Sequence, residues 1–178
     1  LTSCKKNYEL SFETNGGSAI ETIKAEEGKE IELPVPVREG FEFQGWFENE
    51  SFSGSAVEKV TPTEKKTYYA KWVRVYVLTL DANGGTLSTK TLSVKAGEIL
   101  SELLKDITPT KSNLQFGGWF NGEKAVSGRE QMPASDLTLK AKYKAEYTIE
   151  LHIKNEGSDT EEIKTERGYA FVGETLTM

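Results

Sequence analysis

The stretch Phe41-Glu42-Phe43-Gln44-Gly45-Trp46-Phe47 is written a second time as Leu114-Gln115-Phe116-Gly117-Gly118-Trp119-Phe120. Each copy follows an Asn-Gly-Gly turn (Asn15-Gly16-Gly17, Asn83-Gly84-Gly85) and precedes an Ala-Lys-aromatic stretch (Ala70-Lys71-Trp72, Ala141-Lys142-Tyr143). The same signals in the same order define an internal repeat, each copy one supersecondary unit. The offset between copies is 68 at the Asn-Gly-Gly turn, 69 at Gly28 and Gly97, 73 at Pro36 and Pro109 and at Trp46 and Trp119, and 71 at Thr67 and Thr138. These changes place a four-residue insertion before the second Trp stretch and a two-residue deletion after it. Both fall in connections, where a change of length costs little.

Outward from the Trp stretch, the flanking segments read mainly as strands. Tyr8, Leu10 and Phe12 alternate with polar residues, the period of a half-buried strand. Asn15-Gly16-Gly17 is a hairpin signal because Asn and Gly accept positive φ. Ile20, Ile23 and Ala25 continue it as a return strand up to Gly28. Two prolines in Ile31-Glu32-Leu33-Pro34-Val35-Pro36 exclude a central strand or a long helix there. In the second copy Leu100, Leu103, Leu104 and Ile107 fall on one face of a short helix, so its crossover is expected to be longer. Phe41, Phe43 and Gly45 share one side of the Trp strand, and the Gly before each Trp suits a bulge or a close backbone approach. Polar loops, 48–66 and 121–133, lead to closing strands at 67–74 and 138–144. The join Trp72-Val73-Arg74-Val75-Tyr76-Val77 has almost no linker, which favours a stiff stalk.

The chain thus divides into a tether (1–6), a first repeat (7–74), a second (75–144) and an incomplete third (145–178). The third opens with Tyr147-Thr148-Ile149-Glu150-Leu151-His152-Ile153, a turn at Asn155-Glu156-Gly157-Ser158 and a return from Ile163, and has Gly173 where the others have Gly28 and Gly97. No Gly-Trp-Phe follows, so the expectation is that the natural chain continues or that this hairpin borrows a partner. At the start, Leu1-Thr2-Ser3-Cys4 resembles a bacterial lipobox, which would place a lipid on Cys4, although the basic and apolar segments that precede a lipobox are not in this sequence. Two acyl chains on one residue suffice for stable anchoring.

Composition narrows the function classes. Of the 178 residues, 37% are hydrophobic and 28% charged, a globular balance. Net charge is −6 with Lys and Arg interspersed among acids, which argues against a nucleic-acid partner. One Cys permits no intrachain disulfide, and one His leaves no zinc site of the usual spacing. No apolar run approaches the roughly 18 residues of a membrane-spanning helix.

Each motif with chemical potential has a plainer reading beside it. Trp46, Trp72 and Trp119 would suit a sugar-stacking platform, but residues that recur in register with a repeat are more simply core. The pairs Glu26-Glu27 and Glu161-Glu162 point to opposite faces of a strand and read as solvated edges rather than acid and base or a calcium site. His152 has no partner nucleophile and reads as a strand residue. No helix with Gly-Lys-Ser/Thr follows the Asn-Gly-Gly turns, so they are not phosphate loops. No catalytic residue, metal ligand or cofactor is expected.

Taken together, Asn-Gly-Gly, Gly, Pro-x-Lys/Arg, Gly-Trp-Phe and a closing Thr-Leu-x-Ala-Lys-aromatic strand resemble the Listeria-Bacteroides repeat, the family of the B-repeat of internalin B, over residues 7–72 and 76–143. The first copy departs at Val60-Thr61-Pro62-Thr63-Glu64-Lys65-Lys66, where the usual Asp before the Thr is missing. The third piece is similar to the opening of a mucin-binding-protein-like repeat. The resemblance implies a mostly β (α+β) fold of tandem β-grasp-like domains, each a hairpin, a short crossover helix or turn and two further strands. It makes Gly45, Trp46, Phe47, Gly118, Trp119 and Phe120 a structural signature. It further implies a monomeric bacterial surface protein that is a stalk and an adhesion or protein-interaction module for a host or neighbouring-cell protein. The alternative is a glycan-binding module. Strand edges and loops 48–66 and 121–133 would be the contact surfaces.

Overall fold

Twelve elements are present in a computed structural model, which describes residues 6–154, 157 and 161–175. They are β1 (Asn7–Glu13), β2 (Ile23–Glu26), β3 (Ile31–Glu32), β4 (Phe41–Phe47), β5 (Lys59–Val60), β6 (Lys66–Asp81), β7 (Thr91–Lys95), α1 (Leu100–Leu104), β8 (Gln115–Asn121), β9 (Lys124–Ala125), β10 (Leu137–Lys154) and β11 (Glu161–Phe171). The chain is mostly β, and two compact units, Leu1–Val75 and Tyr76–Met178, divide it.

In the first unit β1 lies between two neighbours. β2 pairs with it antiparallel (Leu10 opposite Ile23), and the start of β6 pairs with it parallel (Leu10 opposite Lys66, Phe12 opposite Tyr68). β4 runs antiparallel to β6, giving a mixed sheet in the order β2-β1-β6-β4. The alternation of β1 and β6 sends Leu10, Tyr68 and Ala70 inward, where they meet Ala25, Leu33 and Trp46 in one core. The proline-rich segment contributes only β3, two residues paired with β5, as the absence of proline N–H donors requires.

The second unit repeats this arrangement. The end of β6 pairs with β7 and, in parallel, with β10 (Leu78 opposite Leu137), and β10 carries β8 antiparallel, with β9 beyond it. Leu78, Leu80, Leu100, Leu104, Trp119, Met132, Leu139 and Tyr143 form its core. The inserted residues build α1, and Leu100 and Leu104 are buried on its inner face with Leu103 and Ile107 packed against the same core.

Three expectations change in detail. The Asn15 turn exists, with Asn15 and Gly16 at φ 49° and 87°, but it does not close the hairpin directly. Ser18 N donates to Val37 O, so the residues after the turn pair with the crossover and the return strand begins at Ile23, not Ile20. The closing strands also run on past Arg74 and Lys144 into the next copy's opening strand within β6 and β10, since neither Gly nor Pro interrupts residues 72–78 or 143–149. The third return strand starts earlier than Ile163, at Glu161, and pairs with β10 from Lys154 to Lys144. Gly173 closes it as Gly28 and Gly97 do: Glu174 N donates to Phe171 O at 3.1 Å, matching Lys29 to Glu26 and Glu98 to Lys95. Cys4, and the third turn apart from Gly157, lie outside the described residues.

Candidate functional site

The signature side chains come first, because what they do decides what is left for binding. Trp46 and Trp119 are 1% and 4% exposed. Each indole N–H donates to a crossover carbonyl, Trp46 to Pro34 O at 2.8 Å and Trp119 to Ile107 O at 3.0 Å. Each Trp carbonyl accepts from the following loop, from Val57 N and Val126 N, both at 2.8 Å. One residue therefore clamps the crossover and the loop to the sheet. Gly45 and Gly118 sit at φ 110° and 127°, beside the register shifts of the β4–β6 and β8–β10 ladders, so the expected bulges are present in both copies. Phe47 and Phe120 are buried too. All six signature residues are structural in position.

The Asn-Gly-Gly turn is equally committed. Asn15 and Asn83 donate through Nδ2 to Ala70 O and Ala141 O at 2.9 and 3.0 Å. Trp72 Nε1 donates to Thr14 O at 2.9 Å, and Tyr143 Oη donates to Ala82 O at 2.6 Å. The second glycine is needed for that approach, because a Cβ at Gly17 would meet the Trp72 ring and one at Gly85 the Tyr143 hydroxyl. The basic residue of Pro-x-Lys/Arg reaches back to the turn: Arg38 Nη1 donates to Asn15 O at 3.0 Å and Lys111 Nζ to Asn83 O at 2.8 Å. The sequence alone gives these cations no role. Their signal was position, since a cation that recurs after a buried proline has a fixed neighbour.

The two loops differ from their expected freedom. In 48–66, Asn49 Oδ1 accepts from Ser51 Oγ, Ser53 N and Ser53 Oγ, and Glu48 pairs with Lys66 at 2.8 Å. That hydrogen bond holds the Lys66 ammonium above its ordinary pKa. The knot turns Phe52 edge-on against Phe47, centroids 5.7 Å apart, with Lys71 over both rings. The shorter loop 121–133 has no aromatic. In its place Phe171, from the third hairpin, stands edge-on to Phe120 at 5.6 Å, with Lys142 over Phe120. Gly117 is what admits it: a Cβ there would collide with the Phe171 ring, and the first copy, which receives no such ring, has Gln44. The sequence signal is this mismatch, one of three inside the repeated phrase.

A cleft of about 480 Å³ opens in the second unit among Asn83, Lys111, Phe120, Lys142, Tyr143 and Phe171. Its cations are already engaged, Lys111 by Asn83 O and the Tyr143 ring, Lys142 by Glu123, whose carboxyl that bond holds below the usual carboxylate range. Glu130 is held low in the same way by Lys124 and the Ser127 amide. Burial pushes the Tyr68 and Tyr143 phenols up. His152 is an exposed strand residue with Glu161 at 3.1 Å. Among the described residues no three His, Cys, Asp or Glu side chains converge as a metal site would, and no helix is long and apolar enough to cross a membrane.

Two strand sets of the same order, with the same clamp, turn and bulge, define a tandem-repeat protein, mostly β. The chain belongs to the Listeria-Bacteroides repeat domain family, which it matches over residues 8–71 and 76–142. It is also similar to two proteins of Evansella cellulosilytica. It is 34% identical to one named as a membrane protein, over 90% of this chain and 24% of that protein. It is 31% identical to one named as a Gly-rich membrane protein, over 89% of this chain and 19% of that protein. The chain therefore spans about a quarter or less of the curated relatives it matches.

Proposed function

We propose that this chain is a non-enzymatic, β-grasp-like repeat module of a bacterial cell-surface protein, lipid-anchored through Cys4, acting as a stalk and as a protein-interaction surface. The observation that carries the reading is the full use of the signature residues and of the turn and cation partners in holding each unit together. Strand edges and loops 48–66 and 121–133 are what such a unit offers to a partner. The strand order β2-β1-β6-β4, with the first and last strands parallel, supports the β-grasp description. Relatives named as membrane proteins support a place at the surface. A sugar platform would need an open indole face, and no Trp is among the exposed large apolar side chains of the described residues.

Tryptophan emission with acrylamide quenching tests this, before and after adding host matrix proteins and a panel of polysaccharides. The expected emission is blue-shifted, poorly quenched and unmoved by glycans, with matrix-protein binding seen separately by surface capture. Emission protected by one polysaccharide, or no protein bound at any concentration, overturns the interaction reading. For the anchor, fatty-acid labelling of the protein in its bacterial host is lost in Cys4→Ser. Equal labelling of the two sinks that part alone.

A further inference from the structure

In each unit the opening and closing strands are hydrogen-bonded neighbours, and they run parallel. In the first, residues 10–13 of β1 pair with 66–69 of β6. In the second, residues 78–81 of β6 pair with 137–140 of β10. The chain enters each unit at the start of its opening strand and leaves past the end of its closing strand. Tension along the chain therefore pulls two parallel strands in opposite directions along their own length. A ladder loaded in this way is sheared, and its evenly spaced bonds take the strain together. The antiparallel pair β1–β2 is the contrast: Asn7 and Glu26 face each other at one end of it, and a pull on those two residues would part its bonds one after another.

The turn, the return strand, the crossover and the Trp strand all fall in sequence between the two ladder strands, within residues 14–65 of the first unit and 82–136 of the second. None of them is stretched while the ladder holds. Each ladder is also backed by its core: Leu10 and Tyr68 in the first, and Leu78, Leu80 and Leu139 in the second, are at most 3% exposed. A slip of one residue would turn these side chains outward, so the strands have no easy neighbouring register. β6 belongs to both ladders, and neither Gly nor Pro interrupts it between residues 69 and 78.

We propose that each repeat is a load-bearing module, in which tension is carried in shear by the ladder between opening and closing strands while the rest of the unit stays unloaded. This goes beyond the stalk reading, which assigns reach and no resistance, and it holds with or without a partner at the loops. Forced unfolding follows the unfolding barrier rather than the equilibrium stability, so one fold can be strong along one direction and weak along another.

The test pulls the full chain in a single-molecule force instrument through pairs of thiols. Cys4, three residues before β1, is one handle. The other is Val77→Cys, past the first closing strand, or Lys65→Cys, beside the Lys66 that faces Leu10; both side chains are exposed. The Val77→Cys chain is expected to yield in a single event, at about threefold or more the force of the Lys65→Cys chain, in which the same pairs part from one end. That event lengthens the chain by roughly 200 Å. Pulling through Cys4 and Glu146→Cys gives two such events, one for each unit. Melting temperatures of the three variants match that of the native chain, so the forces report direction alone. Equal forces in the two directions, or gradual yielding through small steps in the Val77→Cys chain, overturn the proposal. Either result leaves the surface and interaction readings standing, whereas failure to bind any matrix protein leaves the ladder's role untouched.

Discussion

An indole donor 12 residues from its acceptor, in both copies, ties Trp46 and Trp119 to the crossovers of their units. Trp46→Phe removes that donor and leaves a smaller ring in the core, so a loss of about 2–4 kcal/mol is expected from the cavity and the orphaned Pro34 carbonyl together, read in urea unfolding. Gly45→Ala and Gly118→Ala separate two costs. Both force a side chain into positive φ, worth roughly 1–3 kcal/mol, but only the new Cβ at Gly45 also meets Ala56, at 2.5 Å. Gly45→Ala is expected to be the more damaging of the two by thermal melting, and equal losses would discount the contact. Tyr68 and Tyr143 give a pH signature. Burial raises both phenols above their unfolded value near 10. The raised folded pKa means the stabilising difference is intact below pH about 10 and is lost as pH rises through the folded values. A near-UV titration of the folded chain should show two late tyrosines, and unfolding in denaturant should bring them back to the ordinary value.

At the scale of elements, the repeat made most of the fold legible. Strand period, the two prolines and the Leu100-Leu103-Leu104-Ile107 face each led to the element found, because each states a local physical restriction. What escaped was long-range traffic. Ser18 pairs with Val37 and Thr86 with Thr110, and nothing near either residue announces the partner, so the apolar pattern starts the return strand too early. The closing strands run further than the repeat boundaries suggest because a strand needs an interruption to end and none is encoded. Phe52 and Phe171 occupy equivalent places on the two Gly-Trp-Phe motifs although one comes from a loop and the other from the next hairpin. Its traces in the residues are Gln44 against Gly117 and an aromatic, Phe52, in the first loop but none in the second. Gly117→Gln, which restores the residue of the first copy, is expected to expel the Phe171 ring. Amide exchange in β11 should then quicken several-fold while the Trp119 emission stays put, and an unchanged β11 would show that the ring finds another seat.

At the scale of the molecule, each unit contains its own core. Every buried member of the first, from Leu10 to Ala70, lies within residues 6–75. That fragment is expected to keep the far-UV spectrum and quenching-resistant Trp emission of its part of the chain. A second fragment, ending at residue 144, lacks Phe171 and is expected to melt several degrees below the same unit carried to residue 175. Calorimetry of the pair measures the difference, and identical melting would remove Phe171 as a stabilising cap.

The 12-residue spacing between each Trp and its acceptor holds although the second copy carries four extra residues. Those extra residues all precede the acceptor, so the crossover is free in length but not in its landing point. For protein engineering this marks a graft site. Foreign loops or short helices inserted after Gly28 or Gly97 and before Pro34 or Ile107 should be carried by the scaffold, whereas the same insertions between that landing point and the Trp should not be.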